Sequence, residues 1–233
     1  MPIQLPSGNV LALCFLDVNR KLPKTIQKIY RLSHSMYSKN VYIVGAQCTG
    51  KTTLVNHLAQ HFHDNPPSAG PPAIIKEVAR AVLAQHNFTA DDITSSQERC
   101  LLLQRLILEA QAKAEREALR AGAEWFISDR SGVDPVAYAA EHVGEGAADE
   151  LTRSSDWVEL RERMQRSLIV VCEAGASWLT DDGVRLMPAS MDEWRAFHEL
   201  FCRILCRMGL DFVVLPSAVA DLGDRVEFVL GKM

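Results

Sequence analysis

The sequence contains no apolar run near the ~20 residues that a helix needs to cross a bilayer; the longest such run covers residues 10–16. It therefore predicts a soluble protein. C-x-x-C spacing is also missing, because the cysteines at positions 14, 48, 100, 172, 202 and 206 are scattered. This favours reduced thiols in an intracellular protein. Nor is there an excess of positive charge: the net charge of −4 argues against nucleic acid as a general partner.

Acidic residues are nearly absent from the first 39 residues, where Asp17 stands alone against six lysines and arginines. This composition is typical of a transit peptide, but it fits equally a flexible or structural extension, or a misassigned start codon. We therefore expect a basic N-terminal extension, 1–39, followed by one domain, 40–233. The expected localisation is cytoplasmic, and the extension leaves mitochondrial import open.

Residues 45–52 read Gly-Ala-Gln-Cys-Thr-Gly-Lys-Thr, a complete phosphate-binding loop of the G-x-x-x-x-G-K-[ST] type. Glycines at its two ends allow backbone N–H groups to point at phosphate oxygens. Lys51 then supplies a positive charge for the β- and γ-phosphates, and the Thr52 hydroxyl has the spacing to hold Mg²⁺. The following residue, Thr53, opens a helix whose N-terminus favours the same anion. The expected nucleotide site for ATP and Mg²⁺ consists of Gly45, Ala46, Gln47, Cys48, Thr49, Gly50, Lys51, Thr52 and Thr53.

Short apolar segments alternate with helical patterns along the rest of the chain. The predicted strands cover 41–44, 73–75, 125–128, 168–171 and 212–215. The predicted helices cover 51–63, 78–86, 95–120, 134–142, 149–166 and 191–208, with a loop between 173 and 190. This alternation indicates an α/β fold in three layers, a parallel sheet of about five strands with helices on both faces. Ligands of such sheets bind at the carboxyl ends of the strands.

Charged residues follow two of these strands. Glu77 comes just after the second strand, and Asp129 and Arg130 end the third. Asp129 is expected either to hold the magnesium ion or to accept a proton from an attacking hydroxyl, and Glu77 to bind hydroxyls of a substrate. Arg130 and Arg185 are candidates for neutralising phosphate charge during transfer.

Two signatures of other nucleotide-binding classes are missing. Motor-type ATPases end the third strand in two adjacent acids, the second of which orients water, whereas this chain has Asp129-Arg130. No Asn-Lys-x-Asp segment for reading guanine occurs either. Phosphoryl transfer to a bound hydroxyl is therefore favoured over hydrolysis, and a preference for GTP has no positive support in the sequence.

These segments together resemble the P-loop kinase domain of the NadR ribosylnicotinamide kinase family, which groups with small ATP-binding proteins labelled AAA. The resemblance runs from about residue 40 to 230 and rests on the phosphate loop, on 77–80, on 126–130 and on 178–185. It implies a nucleoside-kinase-like fold in which Lys51 and Thr52 hold Mg-ATP, Glu77 and Asp129 face the acceptor, and Arg185 closes over the phosphates from a lid. We expect the catalytic residues to be Lys51, Asp129 and Arg185, and the substrate-binding residues to be Glu77, Arg80, Gln104 and Arg130. The family's tryptophan before the glutamate is replaced by Ile75-Lys76, which weakens the case for nicotinamide as the ligand.

Three functional hypotheses follow. The first is a small-molecule kinase that transfers the γ-phosphoryl group of Mg-ATP to a hydroxyl of a nucleoside-like or similar metabolite. The second is a nucleotide-dependent switch or regulator without an acceptor, and the third is a simple nucleotide hydrolase. A kinase needs a second, enclosed pocket beside Lys51, whereas a switch would have an open, shallow rim.

Overall fold

A computed structural model of the chain describes residues 40–89, 91–175 and 190–233. Five parallel strands form one sheet in the order β2-β3-β1-β4-β5. The strands are β1 (Val41–Val44), β2 (Ala73–Ile75), β3 (Phe126–Asp129), β4 (Leu168–Cys172) and β5 (Val213–Leu215). The strand that leads into the phosphate loop, β1, is the central one, and β3, which ends in Asp129, pairs with it directly. The predicted α/β fold is confirmed.

Helices connect the strands and cover both faces of the sheet. They are α1 (Lys51–Asp64), α2 (Val78–His86), α3 (Asp91–Ser95), α4 (Gln97–Arg120), α5 (Val133–His142), α6 (Glu145–Leu151), α7 (Ser155–Met164), α8 (Met191–Arg207) and α9 (Leu222–Leu230). On one face, α1 and α9 pack on the side chains of Val41 and Ile43. On the other face, the helices from α4 to α8 form a layer that packs on Tyr42 and Val44. Because β1 is apolar at every position and buried on both faces, it fixes the centre of the fold.

The structure differs from the predicted elements mainly at four places. The helix predicted over 149–166 is wrong: two helices, α6 and α7, replace it, because Ser154 caps the second by accepting a hydrogen bond from the N–H of Trp157 at 3.2 Å. The short helix α3 lies mostly between the helices predicted over 78–86 and 95–120, where no helix was predicted. The C-terminal helix α9, capped by Asp221, was not predicted at all. The third strand begins at Phe126, one residue later than predicted.

The predicted loop over 173–190 falls mostly outside the described residues. Within the ranges that are described, no helix combines the length and the apolar character required to cross a membrane.

Candidate active site

The phosphate loop connects β1 to α1, and its two glycines have backbone angles that favour glycine. Gly45 has φ 120° and Gly50 has φ 75°. A Cβ atom on Gly45 would lie 2.7 Å from the carbonyl oxygen of Cys172 on β4, so no other residue fits there without a shift of the backbone. The loop therefore curves closely over the carboxyl end of the sheet, where phosphate is expected.

Two buried side chains, one from α8 and one from α9, donate hydrogen bonds to backbone carbonyls of the loop. The indole N–H of Trp194 on α8 donates to the carbonyl of Gln47 at 2.9 Å. The guanidinium of Arg225 on α9 donates to the carbonyl of Thr49 at 2.9 Å and lies 3.4 Å from the sulfur of Cys172. In a trans peptide the N–H points opposite to the C=O. The N–H group of Cys48 therefore points away from Trp194, and that of Gly50 points away from Arg225.

Lys51, the lysine of the motif, is turned inward. Its ammonium donates to the carbonyl of Ala46 and lies 3.3 Å from the hydroxyl of Thr49. Burial, and secondly the charge of Arg130, lower the pKa of Lys51 from 10.5 to about 8. The site thus holds a cation at some electrostatic cost, and an anionic phosphate group would relieve that cost.

Thr52 and Asp129 meet at the end of β3. The Thr52 hydroxyl donates to Asp129 Oδ2 at 2.6 Å. The other carboxylate oxygen, Oδ1, is buried and has no hydrogen-bond partner among the described residues. Oxygen ligands of this kind, a hydroxyl beside a carboxylate with an oxygen to spare, suit Mg²⁺. These two residues fit the predicted metal.

A cluster of alternating charges lies beside the loop. The guanidinium of Arg130 donates through Nε to Glu77 at 2.6 Å and through Nη1 to Asp134 at 3.1 Å. Glu77 also accepts from Arg80 at 3.1 Å. Burial raises the pKa of Glu77, but the charge and hydrogen bond of Arg130, helped by Arg80, outweigh it and bring the pKa down to about 2. Glu77 is therefore a carboxylate at any physiological pH.

Arg130 itself has an unusual backbone. Its φ of 82° is rarely adopted by a residue with a side chain. Its N–H donates to the carbonyl of Ile43 on β1 at 3.0 Å, and its side chain is held by Glu77 and Asp134. Strain of this kind persists only where the surroundings fix the residue, and it concentrates at functional sites.

Two cavities adjoin at this cluster. A small one, the phosphate cradle, is lined by residues 48–52 together with Glu77, Asp129 and Arg130. A larger one, the acceptor cavity, has a volume of about 500 Å³ and lies between α2, α3, α4 and α5. Glu77 and Arg130 line both cavities. A molecule in the larger cavity would therefore lie next to the terminal phosphate of a nucleotide in the cradle.

The structure brings most of the predicted site residues together. Arg80 and Gln104 line the acceptor cavity, and so does Gln47 of the loop. Ala46, the second residue of the loop, is fully buried. Thr53 is exposed in the first turn of α1 and does not line the cradle. Arg185 lies outside the described residues.

The sequence analysis did not assign four residues to the site. Asp134 and Tyr138 line the acceptor cavity, and Trp194 and Arg225 support the phosphate loop. Asp134 had a usable signal, since it stands in the first turn of the helix after Asp129-Arg130-Ser131. Arg225 had another: it shares the buried face of α9 with Val226 and Val229, where a charge needs a partner.

Solved structures with this fold include nucleotide-binding kinases. A NadR protein in complex with NR is 23% identical, with a TM-score of 0.62, and the match covers 86% of this chain and 52% of that one. A NadR protein in complex with NAD and AMP-PNP is 20% identical, with a TM-score of 0.58 and coverages of 86% and 51%. The chain thus spans about half the length of these two proteins. A deoxyadenosine kinase from M. mycoides with bound dATP is 12% identical, with a TM-score of 0.54, and is covered over 98% of its length by 83% of this chain.

Fold and loop together define a P-loop nucleotide-binding domain related in fold to the nucleoside kinases. The chain belongs to the family described as "AAA domain", whose model matches residues 40–225. No curated protein matches the sequence. The NadR-like resemblance predicted from the sequence is confirmed.

The pKa of Lys51 leads to a pH-dependent affinity for nucleotide. Above about pH 8 the lysine of the nucleotide-free protein is neutral, whereas a bound polyphosphate favours its charged form. Affinity for ATP should therefore be full below pH 8 and decrease above it, approaching about tenfold per pH unit for one linked proton. Titration of a fluorescent ATP analogue between pH 7 and 9.5 measures this. Lys51→Arg, which stays charged, should lack the decrease; an equal decrease in that variant would assign it to another group.

Proposed function

We propose that the protein is a small-molecule kinase, which transfers the γ-phosphoryl group of ATP to a hydroxyl of a nucleoside-like or similar metabolite. The observation that carries the proposal is the acceptor cavity. It adjoins the phosphate cradle and shares Glu77 and Arg130 with it. A switch or a simple hydrolase has no need of a second cavity of about 500 Å³ at this position.

The reaction is a displacement at the γ-phosphorus. The hydroxyl oxygen of the acceptor forms a bond to phosphorus while the bond from phosphorus to the bridging oxygen of the β-phosphate breaks. ADP leaves, and the hydroxyl proton is released. The transition state is loose, so catalysis consists mainly of positioning and charge stabilisation.

The residues divide these tasks by position. Lys51 and Arg130 stabilise negative charge on the transferring group. Glu77, between the two cavities, accepts a hydrogen bond from the attacking hydroxyl. Because its pKa is about 2, it is a weak base and takes the proton only late, when the new P–O bond has largely formed. Arg80 and Gln104, which line the acceptor cavity, bind the acceptor, and Arg185, a candidate from the sequence alone, neutralises phosphate charge.

Thr52 and Asp129 would hold Mg²⁺, which neutralises charge on the β- and γ-phosphates when it is bound. Asp129 lines the cradle but not the acceptor cavity. Its contact with Thr52 at 2.6 Å supports the metal role over that of the proton acceptor.

Release of ADP from Mg-ATP in the presence of different acceptors tests the proposal. We expect one class among nucleosides, ribosides, sugars and simple alcohols to stimulate ADP release by at least about tenfold over the rate without acceptor. Lys51→Ala should abolish both nucleotide binding and turnover, and it provides the blank for contaminating kinases.

Two results would oppose the kinase. Tight nucleotide binding without stimulation by any acceptor would favour the switch. A constant rate of ADP release, independent of the acceptor and absent in Lys51→Ala, would favour the hydrolase.

A further inference from the structure

The acceptor cavity has two chemically different ends. Its polar end, which adjoins the phosphate cradle, carries the side chains of Glu77, Arg130 and Asp134. Its apolar end lies between α2, α3 and α4 and belongs to a separate small hydrophobic cluster. The side chains that form this apolar end are Leu83, Phe88, Ile93, Leu103 and Ile107.

Charges at the polar end are already matched to each other. Arg130 is paired with Glu77 at 2.6 Å and with Asp134 at 3.1 Å, and Arg80 is paired with Glu77 at 3.1 Å. The side chains of Arg130 and Asp134 are 15% and 4% exposed. A charged acceptor would have to displace one partner of a largely buried pair and leave the other uncompensated, which is costly. The polar end therefore favours a neutral hydroxyl compound.

The two aromatic side chains that line the cavity, Phe88 and Tyr138, also contact residues outside its lining. The guanidinium of Arg99 lies 4.5 Å from the centre of the Phe88 ring. The Tyr138 ring packs against Phe197 at 5.0 Å and His142 at 5.8 Å between centres. Four branched aliphatic side chains line the cavity beside these two rings and form the larger part of its apolar wall: Leu83, Ile93, Leu103 and Ile107. Such a surface suits an apolar chain better than a flat ring, which gains most from a free aromatic face.

Hydrogen-bonding groups are few at the apolar end. Gln104, 2% exposed, and Thr89 supply the polar side chains there. A sugar or polyol would bury several hydroxyls against aliphatic groups, and each hydroxyl without a partner costs free energy. An acceptor with a single hydroxyl avoids this cost.

We infer that the acceptor is a neutral alcohol whose hydroxyl faces Glu77 and whose body is apolar and aliphatic. The inference rests on the proposed kinase function and, among the acceptors tested for that function, favours simple alcohols over nucleosides and sugars. The alcohol becomes a phosphate monoester, with ADP as the other product. Its apolar body contacts Leu83, Ile93, Leu103 and Ile107, and its affinity increases with the apolar area that it buries.

The test compares octanol and geraniol with adenosine, with ribose, and with hydroxyoctanoate and aminooctanol as charged counterparts of octanol. ADP release from Mg-ATP and the melting temperature of the protein with each compound alone are both measured. We expect kcat/KM for the two neutral alcohols to exceed that for each other compound by at least about tenfold.

A pair of leucine variants locates the effect in the cavity. Leu83 is half-buried at the apolar end, whereas Leu102 on α4 is 44% exposed and does not line the cavity. Leu83→Gln should raise KM for octanol about tenfold with little change in KM for ATP. Leu102→Gln, the same change on the outside, should leave both constants as they are.

The outcomes separate this inference from the kinase proposal. If adenosine, ribose or a charged compound is the best acceptor, the inferred class is wrong and the kinase stands. Octanol could raise the melting temperature of the wild-type protein but not of Leu83→Gln, without any change in ADP release. That result would support binding of an apolar alcohol in the cavity and contradict the proposed kinase activity. If the alcohols neither bind nor react, the inference is overturned.

Discussion

Asp129→Asn should lower acceptor-dependent ADP release by at least about 100-fold while binding of ATP without metal stays unchanged or becomes tighter. The variant keeps the size of the side chain and an oxygen for the hydroxyl of Thr52, which donates to Asp129 at 2.6 Å. It removes the negative charge and replaces one carboxylate oxygen with an amide nitrogen, which cannot bind a cation. Without metal, that carboxylate only repels the polyphosphate, so its loss does not weaken binding.

The measurements are steady-state ADP release in Mg²⁺ and equilibrium binding of ATP in EDTA. Asp149→Asn is a matched control, because Asp149 is exposed on α6 and lines neither cavity. It should change neither value. Turnover within about threefold of wild type in Asp129→Asn would exclude the metal role and with it our assignment of the cradle.

The sheet and the phosphate loop could be predicted because their signals are local. A run of four buried apolar residues precedes the loop, and the glycine positions follow from backbone geometry that no other residue adopts easily. Glu77 and Asp129 could be placed near each other for a topological reason: the carboxyl ends of parallel strands share one edge of the sheet. Which charged side chains form pairs at that edge could not be predicted from the sequence.

Contacts between distant segments were beyond sequence reasoning. Arg130, the residue after β3, has φ 82° and pairs with Asp134 in the first turn of α5, and nothing in the residue type of an arginine indicates such a backbone angle. The break between α6 and α7 depends on a serine whose capping role competes with helix continuation. Trp194 and Arg225 contact the loop across 147 and 176 residues of sequence. The spacing of residue types within a helix does not indicate contacts over such separations.

Arg225→Met should raise the dissociation constant of ATP by about tenfold or more and slow turnover with it. The substitution keeps an unbranched, buried side chain but removes the donor to the carbonyl of Thr49 at 2.9 Å. A buried carbonyl without a partner costs about 1–3 kcal/mol, and the peptide that joins Thr49 to Gly50 becomes free to rotate. Its N–H then no longer points reliably at phosphate, so part of the binding energy is spent on ordering the loop.

Arg225→Lys distinguishes the support of this peptide from a general loss of stability. Lysine keeps a donor and a positive charge on a long stem, so it should recover most of the ATP affinity even where the melting temperature stays below that of wild type. Arg207→Met is the matched control, since Arg207 is 41% exposed and pairs with Glu145 on the surface. If the affinity of all three variants follows only their melting temperature, Arg225 stabilises the fold without orienting the loop. If the ATP affinity instead follows the presence of a hydrogen-bond donor at position 225, α9 orients the loop for phosphate. The sequence analysis did not predict this helix.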